Sequence, residues 1–361
     1  MLEIKVPQRY INLDGVTAKV GEYITPLAQQ VLIVTSPSAW KATQDQVENS
    51  LQEQGINFQL SFLPGPCSES AINTIAQQAS QYGAQVILGI GGGRVMDTAK
   101  AVGEKLQQLP VINLPTIAAT CAAWSPISVI YDDHGGQIGP LTLQRLPVWV
   151  LVDSQVIAQS DSRYLQAGIV DALAKWYEFQ PYLRQGDQGL SLLLKAQPAR
   201  LALDTFISQG QQAVKDNQNA KVTPALRQVI DAVIALAGLA NSMRDEIPRV
   251  GIAHAIHNSM THIAELHHWL HGEKVGFGLA VQALLESDHA QTREELLPLL
   301  KIFGSPLSLS YQGSTPSANL GQQIAQRIHI APSVIARLPF PLDQDRIATA
   351  IETTLNQYRP H

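Results

Sequence analysis

Three consecutive glycines, Gly91, Gly92 and Gly93, are the residues whose type and spacing most directly indicate ligand binding. They follow an apolar run and precede a segment with helical periodicity, in VILGIGGGRVMDTAK (residues 86–100). Glycine has no Cβ, so an anionic group can come close to its backbone N–H. A following helix adds free N–H donors and the positive end of its dipole. An empty turn explains the glycines alone equally well, but the flanking strand and helix patterns favour a phosphate site.

The spacing of this loop departs from the dinucleotide fingerprint GxGxxG. Gly89 and Gly91 are followed at the sixth position by Arg94 rather than by a glycine. The sequence therefore predicts a nucleotide-binding turn of a different kind from that of an ordinary Rossmann fold.

Histidines are the second group that could do chemistry, in AHAIHNSMTHIAELHHWLHGEK (residues 253–274). His254 and His257 are three residues apart. His267 and His271 are four apart, and on a helix either spacing puts two rings on one face. Imidazoles so placed can share a metal ion. Such histidines are also common as surface or core residues, and neither CxxC nor HExxH is present, so spacing alone leaves both interpretations open.

Asp171 is the carboxylate that could complete a metal site. It lies in the apolar segment AGIVDALAKW (residues 167–176). An acid with such neighbours is rarely buried unless it is paired or bound to a metal.

The elements that must position these residues fall into two parts. In the first part, short apolar runs alternate with amphipathic segments, which predicts a parallel sheet with helices on both faces. The predicted strands are 31–35, 58–63, 86–90, 111–114 and 148–152, and the predicted helices are 44–54, 71–82 and the one after the glycines. Residues 127–142 are predicted to form a hairpin inserted before the last strand.

From about Asp161 onwards, apolar residues recur at helical spacing. The predicted helices are 167–179, 190–208, 223–242, 251–270 and 275–285, and the polar segment 211–222 is predicted to be a connection. The expected fold is an α/β domain with a Rossmann-like parallel sheet over residues 1–160, followed by an all-α domain over residues 161–361. A cleft between two such domains is a common ligand site.

Composition limits the kind of protein this can be. A chain of 361 residues with 45% hydrophobic content can bury two substantial cores. The net charge of −5 and the lack of a basic run argue against nucleic acid or membrane as partners, so a small-molecule substrate is expected. The N-terminus has no secretion-type apolar region, and the longest apolar stretch, 229–240, is too short to span a bilayer. We therefore expect a cytoplasmic protein whose two cysteines form no disulfide.

Five motifs, in this order, resemble the iron-containing alcohol dehydrogenase superfamily and, within it, the glycerol dehydrogenase branch. They are GGGRVMDTAK, LPTIAATCAAWSPISVIY, AGIVDALAKWYE, AHAIHN and HGEKVGFG, and the resemblance covers nearly the whole chain. It implies a dehydroquinate synthase-like architecture and hydride transfer between a small alcohol or polyol and NAD(P). It also implies a dinucleotide on the first domain, substrate and one divalent metal on the helical domain, and a homo-oligomer. Zinc is favoured, with iron or manganese as alternatives.

The resemblance also implies roles for individual residues. The zinc ligands of the branch match Asp171, His254 and His271, which are thus the predicted catalytic centre. The cofactor positions match a larger set: Gly91, Gly92, Gly93, Asp97, Thr116, Ser125, Ile127 and Tyr131. Iron-dependent relatives carry a further histidine ligand four residues after the aspartate, where this chain has Lys175. A three-ligand, zinc-like site is therefore favoured, and the ammonium of Lys175 could either pair with Asp171 or extend to solvent.

Cys121 is a departure that bears on the substrate. Glycerol dehydrogenases have an aspartate that contacts the polyol at this position, so Cys121 is a predicted substrate-binding position. The segments TCAAW and LAKWYE are similar to a hydroxycarboxylate dehydrogenase-like subgroup that reduces 2-oxo acids with NADPH. A small apolar filler is the alternative role of this cysteine.

The segment TSPSAW (residues 35–40) bears on the choice between NADH and NADPH. NAD-preferring relatives carry an aspartate near position 37, where this chain has Pro37. Without that charge a 2′-phosphate is not repelled, and Ser36 and Ser38 could donate hydrogen bonds to it. NADPH is therefore expected to be accepted.

Two other function classes stay open. A dehydroquinate synthase uses the same fold with NAD and a metal, although the histidine region here matches glycerol dehydrogenases better. A non-catalytic ligand-binding member is the second, with Lys175 and Cys121 as marks of a decayed site.

Overall fold

A computed structural model describes residues 1–107, 109–286, 290–310 and 316–357 of the chain. The strands, in chain order, are β1 (Glu3–Ile4), β2 (Tyr10–Asn12), β3 (Gln30–Thr35), β4 (Asn57–Phe62), β5 (Val86–Gly91), β6 (Val111–Pro115), β7 (Ile127–Tyr131), β8 (Gln137–Thr142), β9 (Trp149–Val152) and β10 (Met243–Arg244).

The α-helices are α1 (Val20–Ile24), α2 (Pro37–Glu53), α3 (Glu69–Tyr82), α4 (Gly93–Lys105), α5 (Ser154–Ala158), α6 (Ser162–Arg184), α7 (Leu190–Gln218), α8 (Pro224–Asp231), α9 (Ala237–Asn241), α10 (Ile252–Met260), α11 (His271–Leu285), α12 (Ala290–Ile302), α13 (Leu320–Gln326), α14 (Pro332–Ile335) and α15 (Gln344–Gln357). Short 3₁₀ turns cover Val16–Lys19 and Ala264–Leu266, and a π turn, Ala232–Leu236, joins α8 to α9.

Six strands form one parallel sheet in the order β2-β9-β6-β5-β3-β4. Side chains alternate between the two faces of a strand, and along β3 they enter two different cores. Leu32 and Val34 join one hydrophobic cluster, whereas Val31 and Ile33 join another. Both faces are therefore covered, which is why the strands read as continuous apolar runs. The predicted doubly covered parallel sheet is confirmed.

The hairpin is also confirmed, because β7 and β8 pair with each other in antiparallel fashion and stand apart from the large sheet. Its end is tied to the first domain by the N–H of Tyr131, which donates to the carbonyl of Cys67 over 2.9 Å.

From α5 onwards the described part of the chain is helical, except for β10, which pairs with β1. No helix among the described residues is both long enough and apolar enough to cross a membrane.

Two polar segments fold differently from their predictions. Helix α2 begins at Pro37, seven residues before the predicted start, because Ser36 caps it and accepts from the N–H of Ala39. The predicted connection 211–222 is wrong, since α7 continues to Gln218. Its last turns are polar because their side chains form hydrogen bonds with other elements. Asn217, for example, donates to three carbonyls around the end of α5.

The single helix predicted over 251–270 is also wrong. Helix α10 ends at Met260, where the hydroxyl of Thr261 donates back to the carbonyl of Asn258 over 2.6 Å. The chain then turns through Ala264–Leu266 before α11 starts at His271. His267 and His271 therefore do not share a helical face.

Candidate metal centre and cofactor site

Asp171, His254 and His271, which are far apart in sequence, lie together in the fold. They come from α6, α10 and α11, and their potential ligand atoms all lie within 4.8 Å of one another. The Nε2 atoms of His254 and His271 lie 3.2 and 3.1 Å from the same oxygen, Oδ1 of Asp171. One carboxylate and two imidazoles converging in this way suit a divalent ion such as zinc and leave coordination positions open.

Two glycines let the backbones around this centre approach closely. A Cβ on Gly272, at the start of α11, would stand 1.9 Å from the carbonyl oxygen of Ala167 in α6. A Cβ on Gly168 would stand 2.0 Å from the carbonyl oxygen of Ala118. Helix α6 is thus in backbone contact with α11 and with the loop that follows β6.

Glu178 is a functional candidate that the sequence reasoning missed. Its buried carboxylate accepts from the backbone N–H of His254 over 2.9 Å and lies 2.7 Å from Nδ1 of the same residue. A carboxylate on one ring nitrogen fixes the orientation of a metal-binding histidine. Glu178 follows Asp171 by seven residues, two helical turns, and that spacing is the signal that could have indicated it.

Charge in the centre follows from these contacts. Burial favours the protonated form of Asp171, but Lys175, His271 and the hydrogen bonds from both rings hold its pKa well below the ordinary value. Burial also lowers the pKa of His254, but Glu178 and Asp171 outweigh it and raise that pKa to about 9. A metal bound at this ring would replace a proton.

Two other histidines from the cluster stand outside this group. The ring of His257 is buried, with Nδ1 2.9 Å from Oδ1 of Asn258. Burial and the adjacent rings of His271 and His254 hold its pKa well below the ordinary value, so it is neutral. His267 lies outside a helix, and its Nε2 is 2.9 Å from the carbonyl of Thr261.

Lys175 lies beside the centre, and its side chain is largely buried, at 6% exposed. No ion pair joins it to Asp171 in the described part of the chain, so the predicted pairing is absent. Cys121 is buried next to it, and its sulfur accepts from Nδ2 of Asn241 at 3.4 Å.

The three glycines form the turn between β5 and α4, at the carboxyl edge of the parallel sheet. A Cβ on Gly92 would stand 2.9 Å from Ile117, and one on Gly93 would stand 3.1 Å from Thr120. The turn can therefore hold only small residues, and it ends at a helix N-terminus with free N–H groups. This arrangement fits the pyrophosphate of a dinucleotide.

Two other predicted cofactor residues lie at this turn or on the helix that follows it. The N–H of Thr116 donates to the carbonyl of Gly91 over 3.0 Å. Asp97 pairs with Lys100 at 3.0 Å and accepts from the N–H of Val129, so it ties α4 to the hairpin.

Lys100 extends the same network to the segment before β7. It donates to the carbonyls of Ser125 and Ile127, and both of these residues are predicted cofactor contacts. The hydroxyl of Ser125 is buried without a hydrogen-bond partner among the described residues, so it is unused by the fold.

The loop after β6 joins the two sites. Its Thr120 lies at the glycine turn, while its Ala118 lies against α6 two residues earlier in the chain. A ligand on the turn and a metal at Asp171 would therefore lie on either side of one short loop.

Comparisons with known proteins identify relatives of this chain. The family described as Iron-containing alcohol dehydrogenase matches residues 7–154. A glycerol dehydrogenase of Pseudomonas putida is 34% identical over 333 residues, which cover 91% of this chain and 90% of that protein. Hydroxycarboxylate dehydrogenase A of Escherichia coli is 39% identical over 222 residues, 61% of each chain.

Solved structures show the same fold over nearly the full length. A probable glycerol dehydrogenase from Sinorhizobium meliloti superposes with a TM-score of 0.85 at 27% identity and covers 97% of both chains. Glycerol dehydrogenase from Schizosaccharomyces pombe also gives 0.85, at 26% identity, covering 98% of this chain and 92% of that one.

Proposed function

Because the chain belongs to the iron-containing alcohol dehydrogenase family, we propose that it is a metal-dependent oxidoreductase that interconverts a small alcohol and its carbonyl with NAD(P). The observation that carries the proposal is the convergence of Asp171, His254 and His271 next to the glycine turn. A divalent metal there would polarise the substrate oxygen, and a nicotinamide would donate or accept the hydride.

The side chains of the centre have separate tasks in this proposal. Asp171, His254 and His271 hold the metal and leave open positions for the substrate oxygen. Glu178 orients His254, so that Nε2 and not Nδ1 faces the centre. A bound metal would lower the pKa of a substrate hydroxyl, so that its proton could pass to solvent without a protein base.

The first domain binds and orients the cofactor. The glycine turn allows the pyrophosphate to reach backbone N–H groups at the start of α4. The segment from Thr116 to Tyr131 lines the nicotinamide side in this proposal, and Asp97 and Lys100 hold that segment in place. Holding the nicotinamide in one place in this way lets it meet the bound substrate in a fixed orientation, which lowers the entropic cost of the reaction.

A substrate panel with metal analysis tests the proposal. Purified protein is assayed for bound metal and then for NAD(P)H absorbance change with polyols, aldehydes and 2-oxo acids. Asp171→Asn and His254→Ala are expected to lose bound metal and nearly all turnover. His268→Ala is the matched control, because that ring is exposed and outside the centre.

Full activity in Asp171→Asn and His254→Ala would contradict the metal mechanism. A folded wild type that binds no zinc, manganese or iron and turns over none of the panel would support the non-catalytic alternative instead.

We also propose that NADPH is accepted at the adenosine end of the cofactor. Residues 35–40, at the carboxyl end of β3, contain no acid. The oxygen of Ser36 accepts from the N–H of Ala39, and the hydroxyls of Ser36 and Ser38 lie 3.4 Å apart, where one of the two donates to the other and the second keeps its hydrogen for a ligand. Both groups suit a phosphate.

Comparing kcat/KM for the two coenzymes tests this proposal. We expect NADPH to be used at least as well as NADH, and Pro37→Asp to lower the NADPH value at least about 10-fold relative to NADH, by charge repulsion. A clear preference of the wild type for NADH would refute it.

A further inference from the structure

Trp124 extends from the loop after β6 into the helical part of the chain. Its side chain is buried, and its indole Nε1 donates to Oγ of Ser242 over 3.0 Å. A Cβ on Gly238 would stand 2.3 Å from Cγ of the indole, so the ring lies directly on the backbone of α9. The hydroxyl of Ser242 donates in turn to the carbonyl of Gly238 over 3.0 Å. Packing and hydrogen bonding therefore fix this side chain to the end of α9.

A second aromatic residue, Tyr10 of β2, packs beside the indole. The two ring centroids are 5.6 Å apart, and the hydroxyl of Tyr10 donates to Oδ1 of Asp231 over 2.6 Å. Asp231 ends α8 directly before the π turn Ala232–Leu236. Such turns are rare and are frequent at functional sites, and this one leads into α9. The short stretch from Asp231 to Ser242 thus holds two aromatic residues of the α/β domain.

The backbone on either side of the indole is held to the α/β domain instead. Nδ2 of Asn113, in β6, donates to the carbonyl of Ala123 over 3.1 Å. Lys100, in α4, donates to the carbonyl of Ser125 over 3.0 Å. The loop is therefore tied to the sheet through its backbone and to the helices through the indole of Trp124.

Ser125 connects this attachment with the chemistry of the site. Its hydroxyl is buried and has no hydrogen-bond partner among the described residues, and it is a predicted coenzyme contact. Earlier in the same loop, Ala118 lies against Gly168 of α6, three residues before Asp171. A change in how the indole is seated would therefore move a coenzyme contact relative to the metal centre. A misplacement of about 1 Å between reacting groups can lower a rate by about 100-fold.

We propose that Trp124 is a positioning residue, which holds the loop after β6 at a fixed distance from the metal centre through Gly238 and Ser242. The proposal rests on the oxidoreductase function above. It requires that loss of the indole slow hydride transfer while the coenzyme and the metal still bind, because their own contacts are left in place.

A measurement of the first turnover tests this role. Protein loaded with zinc and NAD(P)H is mixed rapidly with the carbonyl compound of the substrate panel that the wild type reduces fastest, and the nicotinamide absorbance is followed. We expect Trp124→Phe, which removes the N–H and shortens the ring, to lower the rate constant by about 10- to 100-fold. Ser242→Ala keeps the indole and should cause a smaller loss. The amplitude, the Kd for NAD(P)H and the metal content should match the wild type.

Trp149→Phe is the matched control. Trp149 is the first residue of β9, at the edge of the sheet opposite the glycine turn. Its ring lies 4.9 Å from that of Tyr23 and 5.0 Å from the guanidinium of Arg9, both within the α/β domain. The rate constant should not change in this variant. A purely structural defect lowers the amplitude and not the rate constant, because unfolded molecules contribute no signal.

Hydrogen exchange provides a second readout that needs no turnover. In Trp124→Phe, the backbone amides of residues 116–126 and of α9 should exchange faster than in the wild type, because each segment loses its contact with the other. Amides of β3, in the centre of the sheet, should not change. Trp149→Phe should leave the exchange of the loop and of α9 as it is.

The outcomes separate the two proposals. An unchanged rate constant in Trp124→Phe, an equal loss in Trp149→Phe, or a loss confined to the amplitude would overturn the positioning role and leave the oxidoreductase function intact. A wild type that transfers no hydride to any compound would contradict the oxidoreductase function. Hydrogen exchange still decides in that case whether Trp124 fixes the loop, and unaltered exchange would overturn it. If Trp124→Phe does not fold, Ser242→Ala provides the same comparison.

Discussion

At the scale of single residues, Glu178 decides which nitrogen of His254 faces the centre. Its carboxylate accepts from the backbone N–H and also contacts Nδ1 of that residue, so the ring cannot rotate without losing the contact at Nδ1. The ring therefore presents Nε2 to Asp171 at 3.2 Å. A histidine that is already held in its metal-binding orientation loses less conformational freedom when it binds a metal.

We predict that Glu178→Gln lowers the affinity for zinc by about 10- to 100-fold while the protein stays folded. The neutral amide keeps the shape of the side chain but loses the charge-assisted hydrogen bond to the ring. Competition with a chromophoric chelator measures the affinity. Glu48→Gln, at an exposed position on α2, is the control and should bind like the wild type. Unchanged affinity in Glu178→Gln would show that the ring is oriented without it.

Sequence reasoning identifies some residues of the centre and misses others for a physical reason. Asp171 is evident because an acid among apolar residues must be compensated. His254 and His271 could not be chosen from the cluster by spacing. Which histidine rings come together depends on where α10 ends and the chain turns, and spacing does not indicate this. Glu178 escapes notice because charged residues are usually exposed, and its burial is decided by packing between distant helices.

At the scale of elements, backbone contacts at glycines determine how close the helices of the centre lie. The contact of Gly168 with the carbonyl of Ala118 joins α6 to the loop after β6. We predict that Gly168→Ala destabilises the protein by about 1–3 kcal/mol, because the added methyl group must push the two backbones apart. Urea unfolding at a fixed metal concentration measures the change.

Gly65→Ala is the matched control for this substitution. A Cβ at Gly65 has no atom within 4 Å, so the free energy of unfolding should stay within about 0.5 kcal/mol of the wild type. Equal stability of Gly168→Ala and Gly65→Ala would show that the loop yields to the added methyl group at no cost.

Element boundaries were predictable where local sequence determines them. The strands β3, β5 and β6 follow from their apolar runs. The end of α10 does not, because it depends on the hydroxyl of Thr261 bonding back to Asn258, with neither glycine nor proline to mark it. The last turns of α7 look like a loop because their polar side chains bond to other elements and not to solvent.

At the scale of the whole molecule, the three side chains of the centre come from three separate helices, so a bound metal connects elements that are distant in sequence. We predict that chelation lowers the melting temperature by a few degrees. A ligand at about 100 times its Kd stabilises the folded state by about 2.7 kcal/mol, and that energy shifts Tm only modestly in a large protein. Differential scanning fluorimetry with EDTA, and with zinc added back, measures this shift.

Asp171→Asn is the control for the chelation experiment, because its melting temperature should not respond to EDTA or zinc. Identical melting of the wild type with and without metal, with metal content verified, would refute a link between metal binding and stability.

The architecture of the whole molecule was the most predictable level. A sheet buried on both faces leaves long apolar runs in the sequence, and the change to helical periodicity marks where the sheet ends. The relation between the glycine turn and the centre was not predictable from patterns. It depends on one loop contacting both Gly93 and Gly168, which only the fold brings together.

The backbone contacts at Gly168 and Gly272 also bear on how this enzyme could be redesigned. These contacts are between main-chain atoms, so a change of side chain at Cys121 or Lys175 leaves them in place, although Lys175 also acts on the charge of Asp171. Evolution or an engineer can exchange those two side chains to suit a different alcohol without rebuilding the scaffold.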